Sequence, residues 1–469
     1  MKTAQRPITL NELLIRLKNE QEKGITFISS GNKEEFLSYG RLYETALRWL
    51  GHLQDNGMQP GDELILQIED NRVFLQVFWA CILGGMIPVP VAVTHQGENA
   101  QKLFNISAVL KHPFLMVSRA YYEKLGKQQD VVGKFEKILF IEDGEVAEGQ
   151  GTIHPATPEK IAFLQFSSGS TGNPKGVVLM HSNLIANIYS ALAANECTNE
   201  DRMLSWMPLT HDMGLICFHL YPLAAGIPQA LMPTDLFIRH PMLWLQKAGE
   251  HRATITGSPN FGYKYCLDQF SEEKVKGLDL SDLRIIYNGA EPIAALLCRR
   301  FMDKLSVYNL RESAMRPGYG LAEATLKVSF TRDIPSLKSL FIQRESLTIG
   351  HAIKTVNTGQ ESAGVLEVVN VGHVIDDMYL KITNEKGYTL EDGHAGIIWI
   401  SGPSVTTRYY NNEAASSAVI KPDGWLNTGD VGFLLNGYLY VVGRVKDIII
   451  VNGLNVYPHD IEQAVEKLE

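Results

Sequence analysis

The sequence predicts an α/β protein whose mostly parallel sheets carry helices on their faces, followed by a smaller β-rich subdomain. Three observations predict it. Helix-period segments and short apolar runs alternate along the first part of the chain. The strand candidates there, such as "DELILQI" and "IAFLQF", are near-continuous apolar runs, which suits strands covered on both faces. From about residue 350 the texture changes to short strands separated by Gly, Asn and Asp turns.

The elements follow in chain order. "YGRLYETALRWLGHLQDNG" places Leu42, Ala46, Leu47, Trp49, Leu50 and Leu53 at helical spacing, and Gly57 closes the helix. "DELILQI" is the next strand. The most membrane-like run, "FLQVFWACILGGMIPVPVAV", contains Gly84-Gly85 and then Pro88 and Pro90, which a spanning helix would not readily carry. It reads as a buried helix feeding a buried strand, and no membrane span is expected. A helix through Leu103 and Leu110, then "FLMVS", a further helix and "KILFIED" continue the alternation. "RMLSWMPL", "ATITGSPN" and "RIIYNGAEP" read as strands that end in polar or Gly-containing turns, where open α/β sheets bind ligands. "GVLEVVNVG", "MYLKIT", "GIIWISG", "YLYVVG" and "DIIIVNG" supply the β-rich part. The expected organisation is a large domain over 1–445, with α/β subdomains over about 1–345 and a β-rich subdomain over about 346–445. The closing "YPHDIEQAVEKLE" opens a helix and stops, so a hinge and the stub of a truncated domain are expected over 446–469.

Composition bounds the function. A length of 469 residues allows two or more packed units with cores large enough to need no metal or disulfide staple. The net charge of −9 argues against a broad nucleic-acid surface, so no nucleic-acid partner is expected. Cys81, Cys197, Cys217, Cys266 and Cys298 are scattered without a CxxC pair and read as reduced core thiols. The opening "MKTAQRPITLNELLIRL" lacks the features of a signal peptide, and the expected compartment is the cytoplasm.

The stretch "LQFSSGSTGNPKGVVLMHSNL" carries the first chemistry. Two apolar strand candidates flank a loop of four hydroxyls, three glycines and a lysine, and Ser182 is placed to cap the helix "NLIANIYSALAAN". A Walker A loop would run into a helix and end Lys-Ser or Lys-Thr, whereas Lys175 precedes Gly176, so the ordinary P-loop reading fails. The physics of anion binding remains. Gly169, Gly172 and Gly176 let several backbone N–H groups face one anion. Ser167, Ser168, Ser170 and Thr171 add hydroxyls, and Lys175 adds a point charge. A solvated hairpin turn needs far fewer such residues.

The string "SSGSTGNPKG" resembles the phosphate loop of the adenylate-forming enzymes. "NGAEP", "YGLAEAT", "NTGD" and "GRVKDIIIVNGLNVYPHDIE" match the same superfamily in order. The resemblance implies that Ser167 to Lys175 hold the β- and γ-phosphates of ATP. It makes Glu323 a Mg²⁺ ligand with Thr171 as its partner, and Asp430 the acceptor for both ribose hydroxyls, with Arg444 beside it. Asn288, Gly289, Ala290, Glu291 and Pro292 would line the adenine slot together with Tyr319, Gly320, Leu321 and Ala322, Tyr319 stacking on the base. Read singly, Asp430 fits a turn and Glu323 a charge at a helix N-terminus. In the implied reaction an ionised carboxylate attacks the α-phosphorus of ATP and expels pyrophosphate, with no general base needed.

The wording of "PLTHDMGL", "SPNFGY", "NGAEPI", "YGLAEAT" and "NVYPHDIE" is similar to the fatty acyl-AMP ligases, especially the loading modules of lipopeptide and polyketide synthases. That implies His211 near the carboxylate and α-phosphate as a catalytic group alongside Lys175 and Glu323. It implies a fatty acid substrate and the phosphopantetheine thiol of an acyl carrier protein as acceptor. It also implies that the segment after "YGLAEAT", whose mixed polar texture fits an inserted surface element, is an insertion obstructing coenzyme A. No Phe-Asp pair of the kind that holds an amino-acid substrate occurs, and the Met- and aromatic-rich stretches around "SWMPLTHDMGLI" and "TGSPNFGYKY" suit either an acyl tunnel or plain core. Leu454 stands where the family commonly has a basic residue. The family's C-terminal lysine has no counterpart before Glu469, so weak adenylation is expected of the isolated chain. An acyl-CoA ligase and an inactive acyl- or nucleotide-binding protein are the alternatives.

Overall fold

The computed structural model describes residues 6–93, 98–126, 133–146, 148–167, 174–332, 334–357, 364–451, 454–456, 458 and 461. The chain divides into two compact units, one of 1–192, 197–237 and 406–418, the other of 193–196, 238–405 and 419–469.

The first unit holds a parallel sheet in the order Ile87–Pro90, Glu63–Gln67, Phe114–Val117, Ile138–Phe140. Every residue of Glu63–Gln67 is buried, as the apolar run Leu64–Leu66 predicts for its centre. The membrane-like run is the helix Asn71–Gly84, capped by Asp70 on the Val73 N–H at 2.9 Å and buried from Val73 to Gly84. No described helix is long and apolar enough to cross a membrane. A second sheet places Met203–Ser205, Gln229–Leu231 and Gly24–Ser29 in parallel, with Lys33–Ser38 antiparallel at its edge.

The strands Ile161–Ser167 and Lys175–Met180 form an antiparallel hairpin around the glycine-rich loop. The following helix, His181–Ala194, begins before Ser182, so Ser182 is not its cap. Asn183, in the first turn, reaches back so that its side chain accepts from the Met180 N–H at 3.0 Å, while the Ser182 N–H goes to the Pro158 carbonyl.

The core of this unit contains a closed polar chain. Trp79 Nε1 donates to His219 Nε2 at 2.8 Å, His219 Nδ1 meets Gln229 Oε1 at 3.0 Å, and Gln229 Nε2 donates to Tyr39 OH at 2.8 Å. Tyr39 OH in turn donates to the Ile227 carbonyl at 2.6 Å. Since Nε2 accepts, His219 is the neutral Nδ1–H tautomer. Burial lowers its pKa to about 4, against the hydrogen bond it donates to Gln229, which works the other way, and burial lowers that of His181 to about 4 as well. The unfolded rings take a proton near 6.5, the folded rings only near 4. Unfolding therefore binds protons in that window, and stability present above pH 6.5 is lost as the pH falls towards 4. Each ring contributes up to roughly 3 kcal/mol to the total loss across that window. Melting curves between these pH values are expected to show a steep acid loss, and His219→Gln, which keeps an acceptor for Trp79, should flatten it.

In the second unit Ile255–Ser258, Ile285–Asn288 and Met315–Gly320 are parallel neighbours, extended antiparallel by Lys327–Phe330 and His373–Val374. An antiparallel sheet follows in the order Tyr379–Thr383, Gly396–Ser401, Leu426–Leu435, Tyr438–Arg444. The segment after "YGLAEAT" is more than a surface element. Ser339–Gln343 pairs with Val365–Val369, and Ile342, Leu347, Leu366 and Val368 share a buried cluster with Phe433, Tyr440 and Val442. Arg299, on the helix Ala295–Ser306, ties it down through a two-pronged ion pair to the buried Glu367 carboxylate.

The cysteines are free, and all but Cys197 are buried. Burial pushes the thiols of Cys81, Cys266 and Cys298 up, that of Cys298 to about 12, which leaves no thiolate among these three at neutral pH.

Candidate active site

In the first unit, Ser167 pairs with Lys175 across the hairpin, at the mouth of the loop. Ser168, Gly169, Ser170, Thr171 and Gly172, expected to hold phosphate, lie outside the described residues. A distant segment braces the Lys175 strand. Thr406 Oγ1 donates to the Val178 carbonyl at 2.7 Å, the Tyr410 N–H donates to the Gly176 carbonyl at 2.7 Å, and Val177 bridges Tyr409. Lys175 Nζ stands 4.9 Å from the centre of the Tyr409 ring, a cation–π contact that holds the charge in place without neutralising it.

His211 lies at the start of a π-helical turn, Met213–Leu220. Asp212 Oδ1 is 2.7 Å from His211 Nδ1 and accepts from the Met213 N–H at 2.7 Å. Gly214 is required here, because a Cβ would come within 2.1 Å of the Pro208 carbonyl oxygen. Partial desolvation of the ring opposes its charge, but the Asp212 carboxylate outweighs it through its own charge and its hydrogen bond. The imidazole pKa is therefore raised.

In the second unit, Asn288 ends its strand fully buried and leads into the turn Gly289, Ala290, Glu291, Pro292. Ala290 has φ +73°, in the left-handed region that alanine rarely adopts. Asn288 Nδ2 donates to Asn260 Oδ1 at 3.0 Å, whereas its buried Oδ1 finds no partner among the described residues.

Tyr319 and Gly320 close the strand Met315–Gly320, and a Cβ on Gly320 would sit 2.0 Å from the Leu326 carbonyl oxygen. Leu321 leads into the short helical turn Ala322–Ala324, which contains Glu323. Thr325 follows at φ 70°, ψ −56°, a strained conformation for a β-branched residue. It is fully buried, and its Oγ1 donates to the Ser404 carbonyl at 2.7 Å.

Tyr319, Asp430 and Arg444 are brought together. Tyr319 OH donates to Asp430 Oδ2 at 2.5 Å, and Arg444 Nε is 3.3 Å from Oδ1. The "NTGD" turn that presents Asp430 is fixed by Thr428, whose hydroxyl accepts from the Asp430 N–H at 3.0 Å and donates to the Ile398 carbonyl at 2.8 Å. Each Asp430 oxygen thus has one protein partner and a second lone pair for a ligand. Burial raises the Asp430 pKa, Tyr319 and Arg444 lower it, and the Glu323 charge raises it again, with a net upward shift. The ligand-accepting carboxylate is then lost by protonation at a higher pH than for an ordinary aspartate. Nucleotide affinity is expected to fall as the pH drops through that raised value. Arg444→Met removes the neighbouring cation and should move the midpoint of the fall further up, measured as affinity against pH from about 5 to 8.

Most of the aromatic-rich stretches prove to be core. Trp206 stacks on Phe237 with ring centres 3.8 Å apart, and Trp206, Met207, Trp244 and Tyr263 are buried. Phe261 and Tyr265, one helical turn apart on Asn260–Asp268, remain partly exposed and meet edge to face. Sequence reasoning passed over Asn260, Asp212, Thr325 and Tyr409 as contributors. Asp212, Asn260 and Thr325 lie within quoted stretches, "PLTHDMGL", "SPNFGY" and "YGLAEAT", whereas Tyr409 lies in none.

Among the described residues no cluster of three or more His, Cys, Asp or Glu could cage a metal. Glu323, a half-buried carboxylate, suits a Mg²⁺ that arrives with phosphate and keeps its waters, since that ion needs only one or two protein oxygens.

A family profile described as "AMP-binding enzyme" matches residues 16–410. A putative acyl-CoA synthetase of Caulobacter vibrioides is 32% identical over 455 residues, covering 95% of this chain and 78% of the relative. A medium-chain-fatty-acid–[acyl-carrier-protein] ligase of Moorena producens is 31% identical, again covering 95% and 78%. A solved structure from work on fatty acyl-adenylate ligases of E. coli and L. pneumophila superposes with a TM-score of 0.88 at 30% identity, covering 98% of this chain and 83% of that one. With a built carboxylate–tyrosine–arginine cluster, a lysine at the mouth of a glycine-rich loop and this extent of similarity, the chain belongs to the AMP-binding enzymes, the adenylate-forming ligases.

Proposed function

We propose that the chain activates a fatty acid with ATP to an acyl-adenylate, releasing pyrophosphate, and passes the acyl group to the phosphopantetheine thiol of an acyl carrier protein. The observation that carries the nucleotide half is the buried Asp430 carboxylate between Tyr319 and Arg444, with a lone pair left on each oxygen for the ribose hydroxyls. Lys175 meets the phosphates with the loop residues Ser167 to Gly172, and the turn from Asn288 to Pro292 with Tyr319 to Ala322 meets the base. Glu323, with Thr171, would hold Mg²⁺, which would draw charge from the phosphate oxygens. His211, its Nδ1 tied to Asp212, presents Nε2 to the carboxylate or α-phosphate. That carboxylate is already ionised near pH 7, so the work of the site is to bring one anion onto another.

The acid is a fatty acid because no ammonium-binding Phe-Asp motif is present and the Moorena relative is named for that substrate. The carrier-protein acceptor is favoured by the inserted hairpin, which is cored and ion-paired into the unit rather than loose. The Caulobacter relative, named as a putative acyl-CoA synthetase, supports coenzyme A as the second reading. Incubation with ATP, Mg²⁺ and fatty acids, with coenzyme A or a pantetheinylated carrier protein, separates the two by mass spectrometry. Acyl-AMP persisting beside coenzyme A and consumed by the carrier is expected. Efficient conversion to acyl-CoA would overturn the carrier-protein reading.

A further inference from the structure

The turn that leaves the strand at Asn288 has no regular secondary structure over 289–294 and includes Ala290 in the left-handed region, so something must hold it in shape. One residue does most of this. Asn260 Nδ2 donates to the Pro292 carbonyl at 2.7 Å, and Asn260 Oδ1 accepts from Asn288 Nδ2 at 3.0 Å and from the Ala294 N–H at 3.2 Å. The Asn260 backbone N–H donates to Glu291 Oε1 at 2.6 Å. Both ends of the turn and its centre are therefore tied to a single position at the start of the helix Asn260–Asp268. That helix has Pro259 as its N-cap and makes no capping bond with it, so the Glu291 carboxylate supplies the missing acceptor and a favourable charge at its positive end. The same helix carries the exposed Phe261 and Tyr265.

We propose that Asn260 is the positioning residue of the nucleotide-base turn. It acts through the shape of residues 288–294, not by touching the nucleotide, and so links the "SPNFGY" helix to base recognition. The inference rests on the assignment of that turn to the base of ATP. The side-chain amide is needed as such, because its oxygen serves two donors and its nitrogen one carbonyl. Asn260→Asp keeps the oxygen acceptor but sets a second charged oxygen against the Pro292 carbonyl and near the Glu291 carboxylate.

The test measures equilibrium affinity for ATP and GTP by calorimetry in wild type, Asn260→Asp, Asn260→Ala and Glu291→Ala, together with melting temperature and the KM for fatty acid. Asn260→Asp is expected to weaken ATP binding about tenfold, the worth of one to two lost hydrogen bonds, and to narrow the preference for ATP over GTP. The fatty acid KM should stay within about twofold of wild type, since uniform binding of the acid is untouched. Glu291→Ala should reproduce part of the effect, which keeps the proposal testable if Asn260→Ala does not fold. Unchanged ATP affinity in the folded variants overturns it. So does a raised fatty acid KM with ATP affinity intact, or an equal loss of ATP and GTP binding with a lowered melting temperature. A wild-type chain that binds neither nucleotide overturns the underlying assignment instead.

Discussion

Replacing Lys175 by methionine is expected to slow acyl-adenylate formation by about 10²- to 10³-fold, the range found when one preorganised donor to developing charge is removed. The side chain starts its strand opposite Ser167 and lies over the Tyr409 ring. Methionine keeps the stem that packs there and deletes only the ammonium, so the fold should be preserved. If the charge matters more as pyrophosphate departs than when ATP first binds, kcat falls and the ATP KM moves little. Arginine should rescue only part of the rate, because a planar fork replaces a point charge. Single-turnover measurement of acyl-AMP separates these cases. A rate within about threefold of wild type would remove Lys175 from the machinery.

The second large effect is expected at Asp430. Asp430→Asn keeps the shape of the side chain and an oxygen for Tyr319 OH, but removes the charge facing Arg444 and one of two ligand acceptors. Hydrogen bonds to a charged group are worth about 1.5–3 kcal/mol, so ATP affinity should fall about 10- to 100-fold. The loss should be smaller for 2′- and 3′-deoxy nucleotides, which lack one of the hydroxyls concerned. Stability should move the other way or not at all, because burial already raises the Asp430 pKa and the substitution removes a buried charge. A variant that loses stability but keeps its ribose preference would show that Asp430 is structural.

The fold was legible where burial repeats along the chain. The runs that became Glu63–Gln67 and Asn71–Gly84 are largely apolar, and they are buried over Glu63–Gln67 and Val73–Gly84. The helix start differs from the expected Ser182 cap because the His181 and Ser182 N–H groups are taken by the Lys160 and Pro158 carbonyls of an earlier segment, which no local pattern announces. The insertion looked like surface because its polar texture hides the buried partners of Glu367 and Leu366, which come from a helix before it and strands after it. The same limit applies at the site. Tyr319, Asp430 and Arg444 announced themselves through motifs, and the structure brings them into contact. Tyr409 lies in none of them, and "SPNFGY" gave no role to Asn260, since both act through contacts with Asn288, Pro292 and Lys175 that are remote in sequence and bound by no period. The strain at Thr325 is a property of its backbone angles, which no side-chain pattern encodes.

The most direct test uses a fatty acid labelled with ¹⁸O in both carboxylate oxygens, with unlabelled ATP and an acceptor thiol. Attack of the carboxylate on the α-phosphorus, followed by thiol attack on the acyl carbon, transfers one oxygen to the nucleotide. AMP carrying one ¹⁸O, with unlabelled pyrophosphate, is the predicted result. Label in inorganic phosphate with formation of ADP would mean attack at the γ-phosphorus and would contradict the account.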